Sequence, residues 1–248
     1  MQSCGKLPGD FGRLARDGSV VIRPIARIRT DFPAKFGIPR QSGLVKELKG
    51  LIVFEPEFRN ESMLRGIEGF THLWLIWLFS ENAGKGWSPT VRPPILGGNT
   101  RMGVFATRAP FRPNPLGLSC VEFAGLERRK GEGTILLVKG ADLMDGTPIF
   151  DIKPYLAYAD SHPEAAEGFR TGGLPRLTVD FPPPLLAIVP VDAQKALLEV
   201  LANDPRPAYQ ADPQRVYGLN FGHLEIKFRV RDDKLIVLAV EKDSKIGG

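Results

Sequence analysis

Seven short apolar runs separated by turn signals set the limits on what this chain folds into. They are VVIRPIARIR from Val20, GLIVFEP, THLWLIWLF, RMGVFATR, GLSCVEFAGL, TILLVKGADL and PIFDIKPY. Short β-branched and aromatic runs of this kind are the pattern of a β-barrel or sandwich. Pro24 removes a ladder donor from the first run, which points to an edge or bulged strand. THLWLIWLF is apolar at nearly every position, as expected of a strand buried between layers. One helix is expected over Asn60 to Gly66, with Asn60 as its cap and Gly66 as its end.

The pattern changes after Ser161. Residues 161–184 mix glycine, proline and charge and read as a connection. Then DAQKALLEVLAND places Leu197, Val200 and Leu201 on one helical face. LEIKFRV and KLIVLAVE follow, joined by a polar turn, and read as a hairpin packed on that helix. The expected organisation is mainly β. A loose extension covers 1–19, a β-barrel 20–160, the connection 161–184, and a small α+β unit 185–248.

Composition narrows the function only a little. Apolar residues make up 43% of 248, which suffices for a real core. The net charge of +5 permits an RNA partner without requiring one. The first 19 residues have no continuous apolar run of the signal-peptide kind, and Leu73 to Phe79 is too short to span a bilayer as a helix. The chain is therefore expected to be cytoplasmic, with no membrane partner.

Four polar segments stand out. Pro39-Arg40-Gln41 sits in a Gly/Pro turn that can present its side chains outward. It can equally be a plain surface loop. From Asn82 to Val121 there is no acidic residue, yet Lys85, Arg92, Arg101, Arg108 and Arg112 all occur there. Arginine forks suit phosphate and carboxylate, although solvated strand ends would look the same. In Phe111-Arg112-Pro113-Asn114-Pro115 two prolines stiffen a loop that is either a pocket wall or a strand corner. Asp142, Asp145 and Asp151 lie close together but lack an EF-hand loop or a histidine pair, so no metal is expected. No G-x-G-x-x-G follows a strand, so a Rossmann cofactor site is unsupported. The residues alone do not separate an enzyme from a non-enzymatic RNA-binding barrel.

The phrases PRQSGLVK, GIEGFTHLWLIWLF, WSPTVRPPILGGNTRMGVFATRAPFRPNPLGLS and DLMDGTPIFDIKPYL together resemble the TsaA/TrmO family of tRNA (N6-threonylcarbamoyladenosine) methyltransferases. The resemblance covers residues 21–160 densely and resumes at NDPRPAY, residues 203–209. It implies a TsaA-like, non-Rossmann β-barrel enzyme that is dimeric, with S-adenosylmethionine held near the subunit interface. The implied reaction is N6-methylation of threonylcarbamoyladenosine next to the anticodon, typically in a threonine tRNA; a methyltransferase acting on a small metabolite is the alternative. By motif position the cofactor contacts fall on Pro39, Arg40, Gln41, Ser80, Glu81, Arg108, Leu118, Ala141, Asp142, Leu143, Met144 and Asp145. Ser80-Glu81 departs from the His-Gln of some relatives, so that position is expected to act through its backbone. Asp204, Arg206 and Tyr209 are candidates for RNA or active-site contact. Arg112 or Arg206 would meet the threonyl carboxylate, and Arg101 a phosphate. The proton acceptor is one of Asp145, Asp151, Tyr209 or the substrate's own carboxylate.

Overall fold

The computed structural model describes residues 12–169, 176–206 and 212–243. In chain order the strands are β1 (Ala26–Arg29), β2 (Lys49–Phe54), β3 (His72–Leu78), β4 (Thr90–Val91), β5 (Met102–Gly103), β6 (Leu116–Arg129), β7 (Gly133–Lys139), β8 (Pro148–Pro154), β9 (Thr178–Asp180), β10 (Tyr217–Phe221), β11 (Leu224–Arg231) and β12 (Lys234–Lys242). The helices are α1 (Ala157–Asp160), α2 (Pro183–Leu186) and α3 (Val191–Ala202). No helix among the described residues is long and apolar enough to cross a membrane.

Six strands pair antiparallel in the order β1-β2-β7-β6-β3-β8, and β8 returns to β1 through Ala26 opposite Ile149. A sheet that closes on itself leaves no row of unpaired amides and carbonyls at an edge. Side chains alternate across the sheet, and β3 shows it: Leu73, Leu75 and Trp77 are buried, Trp74, Ile76 and Leu78 only half-buried. The expectation of burial on both faces is corrected here. The outer face is covered in part, with the Trp74 ring 5.8 Å from that of Tyr155 and its N–H donated to Asp160 at 2.9 Å. Inside the closed sheet, Leu73 and Leu75 pack with Ile28, Ile52, Leu136 and Ile149.

Two other elements differ from expectation. RMGVFATR is not a strand of this sheet. Only Met102–Gly103 is extended, pairing with β4, and Val104–Ala106 turns into 3-10 helix. The segment after Asn60 is a 3-10 turn over Glu61–Leu64 rather than a helix to Gly66. Asn60 does cap it, its side-chain oxygen accepting from the Ser62 amide at 3.0 Å. Gly66 then adopts φ 87, and a second short turn begins.

The second unit packs α3 on a four-stranded sheet ordered β10-β11-β12-β9. The β11–β12 hairpin and α3 match the sequence pattern. β9 lies within the stretch read as a connection and pairs parallel to β12. The core here contains Leu197, Leu201, Leu219, Ile226, Phe228 and Leu235. It also contains Phe32, Val45 and Leu48, which come from the crossover between β1 and β2. Phe32 is 1% exposed and meets Phe221 edge-on, ring centroids 5.6 Å apart. The Gly222 amide donates to the Asp31 carbonyl at 2.7 Å, and Lys49 pairs with Asp192 at 2.9 Å.

Gly37 makes this seating possible. It has φ 91, and a Cβ built there would lie 2.0 Å from Cδ1 of Leu219, a fully buried side chain. Gly37→Ala is therefore expected to cost about 2–4 kcal/mol, combining backbone strain with overpacking. Urea unfolding measures this, and a loss below about 0.5 kcal/mol would contradict the close approach.

Candidate functional site

Five chain segments meet at one end of the closed sheet. β3 brings Trp77 and Leu78 there, followed by Phe79 to Asn82, and β6 begins there with Leu116 to Leu118. The β7–β8 loop adds Asp142 to Met144, the crossover adds Ile38 to Gln41, and the irregular stretch before β6 adds Thr107, Arg108, Pro110 and Arg112. Together they line a cavity of about 430 Å³, a size that suits a small organic ligand. The crossover and the β7–β8 loop are drawn together by two glycines. The Gly43 amide donates to the Gly140 carbonyl at 2.8 Å, and a Cβ on Gly140 would meet Gly43 at 3.3 Å.

The cavity has an apolar side and a polar side. Trp77, Leu116, Leu118, Leu143 and Met144 form the first. On the second, Arg108 donates to the Gln41 side-chain oxygen, and the Gln41 amide donates to the Arg40 carbonyl. Lys35 donates to the buried Asn82 side-chain oxygen at 2.8 Å. Four cations, Lys35, Arg40, Arg108 and Arg112, share the lining with two carboxylates, Glu81 and Asp142. An anionic ligand group is thus favoured over a cationic one at this rim.

A buried chain of hydrogen bonds fixes Asp142. The Trp77 indole donates to Ser119 Oγ at 2.9 Å, and Ser119 donates to Asp142 Oδ1 at 2.6 Å. Burial pushes the Asp142 carboxyl above the ordinary carboxylate range, while the Ser119 hydroxyl and the Arg108 charge act in the opposite direction.

Ten of the residues picked out by motif position line this cavity: Pro39, Arg40, Gln41, Ser80, Glu81, Arg108, Leu118, Asp142, Leu143 and Met144. Arg112 lines it as well; its Nη1 is held by the Thr107 carbonyl at 2.7 Å and the Val104 carbonyl at 3.2 Å. Ala141 is buried in the core of the closed sheet instead. Asp145 and Asp151 are not in the lining, and Asp151 lies on β8, paired with Lys153 at 2.8 Å. Arg101 also lies outside the lining and donates to the Thr90 hydroxyl at 2.8 Å. Asp204 and Arg206 form a two-pronged ion pair, both bonds 2.9 Å, and the Arg206 carbonyl accepts from Arg40 at 3.5 Å. The turn of the second unit therefore touches the cavity's rim. Tyr209 lies outside the described residues.

Sequence reasoning missed Lys35, Trp77, Asn82 and Ser119. A serine at an inward position of an apolar strand, as Ser119 is, signals a buried partner.

Residues 27–161 match the family model described as the tRNA-methyltransferase O N-terminal domain, and residues 176–243 match the TrmO C-terminal domain. A protein of Escherichia coli strain K12 named tRNA (adenine(37)-N6)-methyltransferase is 40% identical over 226 residues, covering 88% of this chain and 96% of its own. A Pseudomonas aeruginosa protein named putative S-adenosylmethionine-dependent methyltransferase RcsF is 38% identical over 228 residues, with 88% and 96% coverage. A crystal structure of TrmO from Pseudomonas aeruginosa superposes with a TM-score of 0.72 at 32% identity, covering 90% of this chain and 99% of that one.

The buried hydrogen-bond chain generates a prediction. Carboxyl-carbon NMR should place the Asp142 titration above the ordinary carboxylate range, and Ser119→Ala should move it higher still, because the charged form loses a donor. The native state then holds this proton more tightly than the unfolded chain. Asp142 thus costs stability increasingly as pH rises from the ordinary carboxylate value through its folded value. Relative to Asp142→Asn, wild type should lose stability across that window; parallel curves for the two would rule the shift out.

Proposed function

The chain belongs to the TrmO family and is a tRNA methyltransferase of it, and on that premise we propose that it methylates N6 of threonylcarbamoyladenosine next to the anticodon, using S-adenosylmethionine. One observation carries this reading. Residues 39–41, 80–81, 108, 118 and 142–144 are far apart in sequence, yet all line a single cavity.

The lining fits such a donor in its chemistry. Leu118, Leu143, Met144 and Trp77 offer an apolar surface to a flat purine. Arg40, Gln41, Glu81 and Asp142 offer charges and hydrogen-bonding groups to hydroxyls and to amino-acid ends. S-adenosylmethionine supplies an electrophilic methyl group when bound. The protein's contribution is to hold donor and acceptor in line and at close range. The excess of cations at the rim supports an acceptor that carries a carboxylate as well as phosphates.

Of the two arginines considered for the threonyl carboxylate, Arg206 has Nε and Nη2 engaged by Asp204. Arg112 lines the cavity; its hydrogen bonds to the Val104 and Thr107 carbonyls are made through Nη1, and its guanidinium lies 5.8 Å from the Phe105 ring centroid. Arg112 is the better placed, with the rest of its fork available for a bidentate contact. Asp151 stands off the cavity with Lys153 as its partner, which disfavours it as the proton acceptor.

Trp87, Phe105, Phe111 and Leu118 are exposed, and Leu118 itself lines the cavity. Exposed apolar side chains, one of them in the lining of the ligand site, support a homodimer whose second subunit helps enclose the donor. Sedimentation should then give twice the chain mass.

Calorimetry should show S-adenosylmethionine binding to the purified protein. Threonine tRNA carrying the threonylcarbamoyl group should gain one methyl group in the anticodon fragment by mass spectrometry. Unmodified tRNA should not, and equal methylation of both would reject the threonylcarbamoyl acceptor. Arg112→Lys keeps the charge but not the fork, so KM for tRNA should rise about tenfold with donor affinity unchanged. An unchanged KM would remove Arg112 from that role.

A further inference from the structure

Asp145 lies between two residues of the cavity wall, Met144 and Thr147, but is not itself part of the lining. Leu143 and Met144 line the cavity, whereas Asp145 is exposed and absent from the lining. Its Oδ1 accepts from the Thr30 amide at 3.0 Å, and its own amide donates to the Phe32 carbonyl at 2.8 Å. On either side, the Gly146 amide donates to the Ile28 carbonyl at 2.8 Å, and the Thr30 hydroxyl donates to the Leu143 carbonyl at 3.0 Å. The wall that carries Leu143 and Met144 is thus laced to residues 28–32.

Residues 28–32 are themselves held from the other side. Ile28 is in the core of the closed sheet, and Phe32 is in the core of the second unit. The Asp31 carbonyl accepts from Gly222 at the turn between β10 and β11. A continuous set of contacts therefore runs from the second unit through residues 30–32 and Asp145 to the cavity wall. A general base must come within hydrogen-bond reach of the proton that it takes. A carboxylate engaged by the Thr30 backbone amide and absent from the lining does not meet that condition.

We propose that Asp145 is a positioning residue: it pins the Leu143–Met144 wall to residues 28–32 and takes no proton in the reaction. The inference rests on the cavity being the donor site. Asparagine at this position keeps a side-chain oxygen for the Thr30 amide but has no basicity, whereas alanine loses both. That contrast separates the two roles.

In freshly prepared protein, Asp145→Asn should stay within about threefold of wild type in kcat and in donor affinity, with the same pH–rate profile. Asp145→Ala should weaken S-adenosylmethionine binding about tenfold while kcat at saturating donor is retained. Hydrogen exchange at the Thr30 amide should accelerate in Asp145→Ala and remain slow in Asp145→Asn. Thr30→Val, which removes the bond to the Leu143 carbonyl, should also weaken donor binding, and it carries the test if Asp145→Ala does not fold. Loss of kcat in Asp145→Asn with intact donor affinity would overturn the proposal in favour of a base. Unchanged donor affinity in both Asp145→Ala and Thr30→Val would overturn it as well. If wild type binds no S-adenosylmethionine, the functional reading fails. The Thr30 exchange comparison then tests the pin by itself, and unchanged exchange in Asp145→Ala would refute it.

Discussion

The apolar side chains of the crossover between β1 and β2 are buried in a core built mostly from the other end of the chain. Phe32, Val45 and Leu48 have no such shelter within the closed sheet; they pack with Leu219, Phe221 and Phe228. Full burial of each large apolar side chain contributes roughly 1.5–3 kcal/mol, so this seating outweighs the exposed ion pairs that accompany it, such as Lys49 with Asp192. Residues 37–43 lie between these anchors. The position of Pro39, Arg40 and Gln41 at the cavity is therefore set from both ends by burial in the second unit. Arg40 then reaches the Arg206 carbonyl across the same junction.

The closed sheet contributes the other half of the cavity. Its interior is apolar along Leu73, Leu75 and Val121 and becomes polar only at the end where Trp77, Ser119 and Asp142 meet. A buried carboxylate is costly unless its lone pairs are satisfied. Ser119 supplies one donor and is oriented in turn by the indole of Trp77. The polar end is thereby held rigid by groups that no ligand contact needs to organise.

The strands of the closed sheet were legible because short apolar, β-branched runs between turn signals mark them, as in TILLVKG and PIFDIKP. Legibility failed where a few residues decide. RMGVFATR has the composition of a strand, but Gly103 leads into a 3-10 turn, and only two residues pair. β10, YGLNF, carries glycine and asparagine and looks like a loop; its partner strand β11 defines it. β9 is three residues beside a proline run and exists through parallel pairing with β12, a long-range contact that no local pattern encodes. The same holds for the site. Motif resemblance located the segments that meet, since loop composition is local. It did not distinguish Asp142, which lines the cavity, from Asp145 and Asp151, which do not, because the direction of a loop side chain depends on contacts with residues such as Thr30 and Lys153. Lys35 and Asn82 are paired across 47 positions and were invisible for that reason.

The borrowed core of the crossover also dictates an order of events during synthesis. Domains generally fold from the N-terminus as the chain emerges, but here Phe32 waits for Leu219, Phe221 and Phe228, made nearly two hundred positions later. The strands of the closed sheet are all available once β8 has been translated, well before the crossover has a surface to rest on. Through that interval the nascent chain exposes Phe32, Val45 and Leu48 to water, and the Pro39–Gln41 wall has no fixed place. The wall that Pro39 to Gln41 give the ligand cavity is consequently not fixed before β10 and β11 have been made.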